Sequence, residues 1–200
     1  MTNRTPKYGN DDDYADANAA FIMDSWCDAI AEMNTHKELI PEQGGEYVCS
    51  SIVATSPTGL GLNVGALPGG RKSYMPLSDT SSPEHGMDKL GPSAVVRSNG
   101  KLPIARNSIG NCLNQRLSPQ LLATEEDMDR FVSFVQSLGY LGLAEIQFNV
   151  ISSELLKKAM KDPDSYRDIL VRTASYSAYF VDMNERCQLD IIDRTEQTKW

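Results

Sequence analysis

Hydrophobic positions along the chain change period several times, and each change marks an element. Over residues 11–34, DDDYADANAAFIMDSWCDAIAEMN, the apolar residues Ala19, Ile22, Met23, Trp26, Ile30 and Met33 recur at spacings of three and four. That period places them on one stripe of a helix, with the aspartates at its positive end. EYVCSSIVATS, residues 46–56, is β-rich and alternates loosely, which predicts a strand. Helical spacing returns at residues 125–138 through Met128, Phe131, Val132, Val135 and Leu138. Glu125 and Glu126 enrich its first turn, and Gly139 marks the expected end. EIQFNVI then reads as a strand whose Gln147 and Asn149 share one face. A short helix, SELLKKAMKD, closes at Pro163; DILVRTASYSAYFVD reads as strand, tight turn, strand; ERCQLDIIDRTEQ reads as a terminal helix.

Between residues 57 and 120 the periodicity is lost, and Gly, Pro, Ser and Asn dominate. This is long for a structureless connection inside a compact domain, and such loops tend to be functional or to lie against another part of the protein. GLGLNVG is a poor dinucleotide fingerprint, because its glycines do not match and no helical pattern follows. PGGRK reads as a plain turn followed by surface cations rather than a phosphate cradle. The aspartates at 11–13 lack the alternating ligands and glycine of a calcium loop, and read as a solvated helix start.

Composition then restricts the function classes. With 40% hydrophobic residues among 200, the chain can bury a sizeable core. A formal charge of −8 and a pI near 4.8 argue against a nucleic-acid or acidic-membrane partner. No apolar run is long enough to span a bilayer and the polar start is no signal peptide, so the expected location is the cytoplasm. Cys27, Cys49, Cys112 and Cys187 are scattered, with no CxxC and no nearby His pair. No metal site is expected, and the four read as reduced structural thiols.

The candidate chemistry lies in LVRTASYSAYFVD. Taken alone, it reads as an ordinary strand–turn–strand with Arg172 at the surface and half-buried tyrosines. Its setting changes that. EIQFNV, YRDILVRTASYSAYFVD and IIDRTEQ, preceded in order by KYGNDDDYAD, GALPGGRK, SPEHGMDKLGPSAV and GNCLNQRLSP, resemble successive C-terminal segments of the glycyl radical enzymes, the pyruvate formate-lyase superfamily. The resemblance is to the eliminase and decarboxylase branch. It covers nearly the whole chain and corresponds to the last portion of a typical member. It implies an α/β fold: the C-terminal portion of a ten-stranded barrel, with helices packed outside and the radical loop inside. It further implies that residues 1–90 close the barrel domain and residues 91–200 form the glycyl radical domain.

In that family a radical is stored on glycine within Arg-x-x-Gly-Tyr. The resemblance assigns Arg172 and Tyr176 to the motif and places the radical position at Ser175. A backbone radical is stabilised when the α-carbon flattens and shares spin with the adjoining amide groups. Glycine flattens freely, whereas a Cβ clashes with the neighbouring peptide planes and restricts the turn. Serine also offers one α-hydrogen where glycine offers two. The expectation is a chain that folds but cannot hold the radical.

The resemblance implies no bound cofactor. The radical is a post-translational feature installed by a radical S-adenosylmethionine iron–sulfur activase, in anaerobic metabolism. It also implies a cysteine loop whose thiyl radical attacks the substrate, with a nearby glutamate as acid or base. None of the four cysteines matches that loop. The expected partners are therefore the activase and an upstream cysteine-loop polypeptide, in an oligomer, with no nucleic acid or membrane. The implied overall reaction is C–O, C–N or C–C cleavage of a small substrate. The alternative is a non-catalytic paralogue that binds a full-length enzyme or its activase.

Overall fold

From residue 92 onward helices alternate with strands, except where a two-stranded hairpin precedes the last helix. The computed structural model describes residues 4–51, 55–107, 110–174 and 176–200. Helix α1 spans Asp13–Met33, α2 Ser56–Gly61 and α3 Pro92–Gly100. Strand β1, Cys112–Leu117, is followed by α4, Glu125–Tyr140, and β2, Glu145–Val150. Then come α5, Ser153–Lys161, strands β3, Leu170–Arg172, and β4, Ser177–Tyr179, helix α6, Glu185–Asp193, and β5, Glu196–Gln197.

Strands β2, β1 and β5 form a parallel sheet in that order, with Cys112 opposite Glu145 and Leu117 opposite Val150. Because side chains alternate across a strand, this register gives the sheet two unlike faces. One face carries Leu113, Ile146 and Phe148, which pack with Val95, Val96, Phe134 and Leu138 of α3 and α4. The other carries Cys112, Asn114 and Arg116 beside Glu145, Gln147 and Asn149. A second core joins Ile151, Leu156, Ala159, Val171, Phe180 and Ile191, fixing the β3–β4 hairpin against α5 and α6.

Local signals account for the ends of α4. Thr124 Oγ1 accepts from the Asp127 N–H at 3.1 Å, and Asp127 Oδ2 accepts from the Thr124 N–H at 3.2 Å, closing a capping box. The helix runs past Gly139. Gly142, at φ 72°, supplies the left-handed residue, and the Leu143 N–H returns to the Leu138 carbonyl at 3.1 Å. The expected stripe is also rotated: Met128, Val132 and Val135 are exposed, while Phe134 and Leu138 are buried.

Four further expectations are corrected. The strand at 46–56 is reduced, in its described part, to a single bridge between Ser51 and Asn111, with residues 52–54 outside the described set. Its backbone groups go elsewhere: the Tyr47 N–H donates to Asn34 Oδ1 at 2.7 Å and its carbonyl accepts from Asn34 Nδ2 at 2.8 Å. The region 57–120 contains α3 and the central strand β1. Arg71 of PGGRK is buried, not a surface cation, and donates to the carbonyls of Gly61, Gly65, Val64, Met75 and Pro76. With its donors directed at backbone carbonyls, Arg71 ties the loop after α2 into one body. The terminal helix ends at Asp193, and the chain then adds β5 to the sheet.

The aspartates at 11–13 are likewise more engaged than a solvated helix start. Asp12 caps α1 by accepting from the Ala15 N–H at 3.0 Å. Lys101 Nζ bridges Asp11, Asp13 and Asp16 at 2.8, 2.8 and 2.9 Å.

Candidate radical-loop site

Antiparallel pairing of β3 with β4 sets Leu170 opposite Tyr179, Val171 opposite Ala178 and Arg172 opposite Ser177. The pairing continues one step further, since the Thr173 N–H donates to the Tyr176 carbonyl at 2.9 Å and Thr173 Oγ1 donates to the same oxygen at 3.1 Å. Only positions 174 and 175 then lie between the paired residues. Ser175, the position assigned to the radical, lies outside the described residues. Its neighbours are well placed: Thr173 and Ala174 are buried, and Tyr176 is about half-exposed at 43%.

The hairpin rests on the polar face of the sheet. Asn149 meets the backbone of Arg172 twice: its Nδ2 donates to the Arg172 carbonyl at 2.8 Å, and its Oδ1 accepts from the Arg172 N–H at 2.8 Å. One buried amide therefore acts as a strand partner and carries the hairpin on β2. The Arg172 guanidinium reaches across the hairpin to Ser177 Oγ at 3.3 Å. Gln147, on the same face, is buried and donates to Glu145 at 2.5 Å. The expectation that Gln147 and Asn149 share a face holds, and the face is turned inward rather than to an edge.

A charged group adjoins the hairpin. Arg194 sends Nη1 to the Thr173 carbonyl at 2.6 Å and Nη2 to Asp190 at 2.8 Å and Asp79 at 3.3 Å. Asn114 Nδ2 donates to Asp79 at 2.7 Å. Burial works against the Arg194 charge, but Asp79 and Asp190 outweigh it and hold the guanidinium above its ordinary range. Arg116, on β1, is shifted the other way: burial lowers it, Glu196 opposes that shift and Arg194 adds to it. The guanidinium of Arg116 donates to the carbonyls of Ile192 and Arg194, fixing the backbone from which Arg194 projects.

All four cysteines are buried and free. Burial, with Glu145 and Asp79, pushes the Cys112 thiol up to about 12, and burial with neighbouring Cys49 pushes Cys27 up to about 11. Thiols held protonated in this way are poor nucleophiles. Among the described residues no cluster of His, Cys, Asp or Glu is arranged to hold a metal ion, and no helix is long and apolar enough to cross a membrane.

Sequence reasoning placed Arg172 and Tyr176 at the hairpin but missed Arg194, Asp79 and Asn114. Arg194 stood in the quoted IIDRTEQ segment, read there as the tail of a helix. Asp79 and Asn114 stood in the stretch without periodicity.

Comparison with known proteins agrees with this geometry. The family model described as "Glycine radical" matches residues 77–181, more than half of the chain and including the whole hairpin. The chain belongs to the glycyl radical family, as a C-terminal glycyl radical domain of the pyruvate formate-lyase-like superfamily. It is 40% identical over 199 residues to the probable dehydratase YbiW of Escherichia coli (strain K12), covering 98% of this chain and 24% of that protein. It is 37% identical to the trans-4-hydroxy-L-proline dehydratase of Clostridioides difficile, covering 99% and 24%. Among solved structures, the B12-independent glycerol dehydratase of Clostridium butyricum matches with a TM-score of 0.91 at 33% identity, covering 99% of this chain and 24% of that one. The chain thus spans about a quarter of the length of these relatives, and its α/β fold is that of the corresponding part of their barrels.

Proposed function

We propose that this chain is the radical-bearing C-terminal part of a glycyl radical lyase, and that with serine at position 175 it is inert as a radical store. One observation carries the reading: within the family match, the hairpin that holds Arg172 and Tyr176 is anchored at Arg172, whose N–H and C=O both pair with Asn149 on the polar face of the sheet. Relatives described as dehydratases and sulfite-lyases support the lyase class.

With glycine at 175, a radical S-adenosylmethionine activase would remove one α-hydrogen. A hydrogen atom passed from the thiol of an upstream cysteine-loop polypeptide would then restore the glycine and leave a thiyl radical to attack a small substrate. Cys27 and Cys112 are buried and protonated, which fits them to a structural role and leaves the reacting thiol to the partner. The expected setting is an anaerobic cytoplasm.

The test compares the serine chain with Ser175→Gly, each incubated anaerobically with the activase. A doublet-type organic radical signal is expected from the glycine variant alone. A strong signal at residue 175 of the serine chain overturns the inertness, and silence from both overturns the radical assignment. Ser175 itself favours a second reading, a non-catalytic paralogue that binds a full-length enzyme or its activase. Binding of the serine chain to an intact enzyme, with no gain in turnover from Ser175→Gly, would select it.

A further inference from the structure

The hairpin has three polar tethers to the body of the protein among the described residues. Asn149 holds both backbone groups of Arg172, Gln188 Nε2 donates to the Phe180 carbonyl at 2.8 Å, and Arg194 holds the Thr173 carbonyl. The first two act at the base of the hairpin, on β3 and just beyond β4. Arg194 acts at its tip, two residues from position 175.

Three features make this more than a chance contact. Arg194 is nearly buried, with a side chain 11% exposed, so its charge requires compensation within the protein. That compensation comes from two segments, Asp79 in the long loop, remote in sequence, and Asp190 one turn back on α6, both on Nη2, which leaves Nη1 free to point at Thr173. The acceptor is a backbone carbonyl, so the contact fixes the path of the chain at 173 whatever side chain follows. Only a planar fork can serve the carboxylates on one nitrogen and the hairpin on the other; a lysine ammonium is a single point.

We propose that Arg194 is a positioning residue that latches the tip of the β3–β4 hairpin to the body, with Asp79 and Asp190 aiming its guanidinium. Its service to a radical store rests on the reading given under "Proposed function"; the latch itself is a property of the fold. Breaking it releases the tip while Asn149 and the apolar core keep the base in place, so the hairpin opens locally rather than the domain unfolding.

The experiment is amide hydrogen exchange on the full 200-residue chain and on Arg194→Gln and Arg194→Lys. The reporter is the Thr173 N–H, bonded to Tyr176. The reference is the Ile151 N–H, bonded to the Leu117 carbonyl at 3.1 Å. In Arg194→Gln, Thr173 is expected to lose about tenfold or more in protection relative to Ile151, the scale implied by loss of one hydrogen bond to a charged group. Arg194→Lys keeps the charge near Asp79 and Asp190 and is expected to leave Ile151 unchanged while still exposing Thr173. Equal acceleration of both amides, or unchanged Thr173 protection, overturns the latch. If Arg194→Gln fails to fold, Asp79→Asn gives the same comparison, since it mis-aims an arginine that is still present. A silent radical assay on Ser175→Gly with selective loss at Thr173 would discard the radical reading and leave the latch standing.

Discussion

The hairpin and α1 carry comparably clear patterns in sequence, yet they are held in opposite ways. Around the hairpin, Val171, Phe180, Leu156 and Ile191 are buried to 1% exposure or less, and Asn149 and Arg194 satisfy the backbone. On α1 only Asp16 and Cys27 are buried, while Phe21 and Ile22 are 70% and 68% exposed and Trp26 and Tyr14 also face outward. An apolar stripe of that size on an ordinary monomer marks an interaction surface. The comparison shows that the described residues nearest the candidate chemistry are fixed by contacts within this chain, whereas α1 displays an apolar face that the described residues leave exposed. The quarter-length match to the relatives is consistent with that division.

The comparison breaks first at Phe180, which is fully buried against Leu156 and Ile191. Phe180→Ala removes a ring from a close-packed core and leaves a cavity, with an expected loss of about 3–5 kcal/mol. A denaturant midpoint unchanged from wild type would mean that the second core is not as formed as its burial indicates.

Next in size is Asn149. Replacing it with leucine, of similar shape but without polar atoms, leaves the N–H and C=O of Arg172 without their partner, at an expected cost of about 2 kcal/mol. Asn149→Asp retains the acceptor for the Arg172 N–H but sets a buried carboxylate oxygen against the Arg172 carbonyl, so it should cost at least as much as leucine. Chemical denaturation measures the ranking, and equal stability of all three would show that the paired contacts contribute nothing.

These two sites also show how far the sequence could be read. The strand at 145–150, the helix before it and the strands of the hairpin follow from alternation, helical spacing and an acidic first turn, because their apolar sets are large and regular. Strand β1 was hidden because its centre, Asn114-Gln115-Arg116, is polar yet wholly buried. Its partners, Asp79, the Pro92 carbonyl and the Ile192 carbonyl, lie 35, 23 and 76 positions away. No local period reports such distant satisfaction. Helix α3 was hidden for a related reason. It opens at Pro92 after Gly91, whose φ of 94° and close approach to the Lys199 carbonyl, where a Cβ would come within 3.0 Å, depend on the far end of the chain. Arg194 lies just past a helix whose end the pattern overran, so its fork could not be aimed from sequence. The motif residues Arg172 and Tyr176 were legible only through resemblance, because a short polar turn has no distinctive period.

A smaller effect concerns alkali. Burial, Glu145 and Asp79 hold the Cys112 thiol protonated up to about 12, against an ordinary 9.0. Between those values the folded chain keeps a proton that the unfolded chain has released, so stability falls as pH rises through that window and is unaffected below it. At pH 10, one unit into the window, the loss is about 1 kcal/mol. Cys112→Ala removes one of two thiols raised in this window, Cys27 being pushed up to about 11, and should reduce the dependence between pH 8 and 10 by about half, as followed by urea midpoints at each pH. An equally steep fall in the variant would assign it to other groups.

The smallest effect tests the other side of the comparison. If the outward face of α1 is free of contacts within this chain, Ile22→Ser should change stability by no more than about 0.5 kcal/mol, the scale of an exposed substitution. The same change at a core position of equal hydrophobicity, Ile191, is expected to cost several times more, since Ile191 is 1% exposed. Exposure should appear in solubility instead. Replacing Phe21 and Ile22 together with serine removes adjoining apolar area from the surface and is expected to reduce self-association, read by light scattering across a concentration series. A large loss of stability from Ile22→Ser alone would show that α1 already has a partner surface within the 200 residues, and the contrast between the two regions would fail.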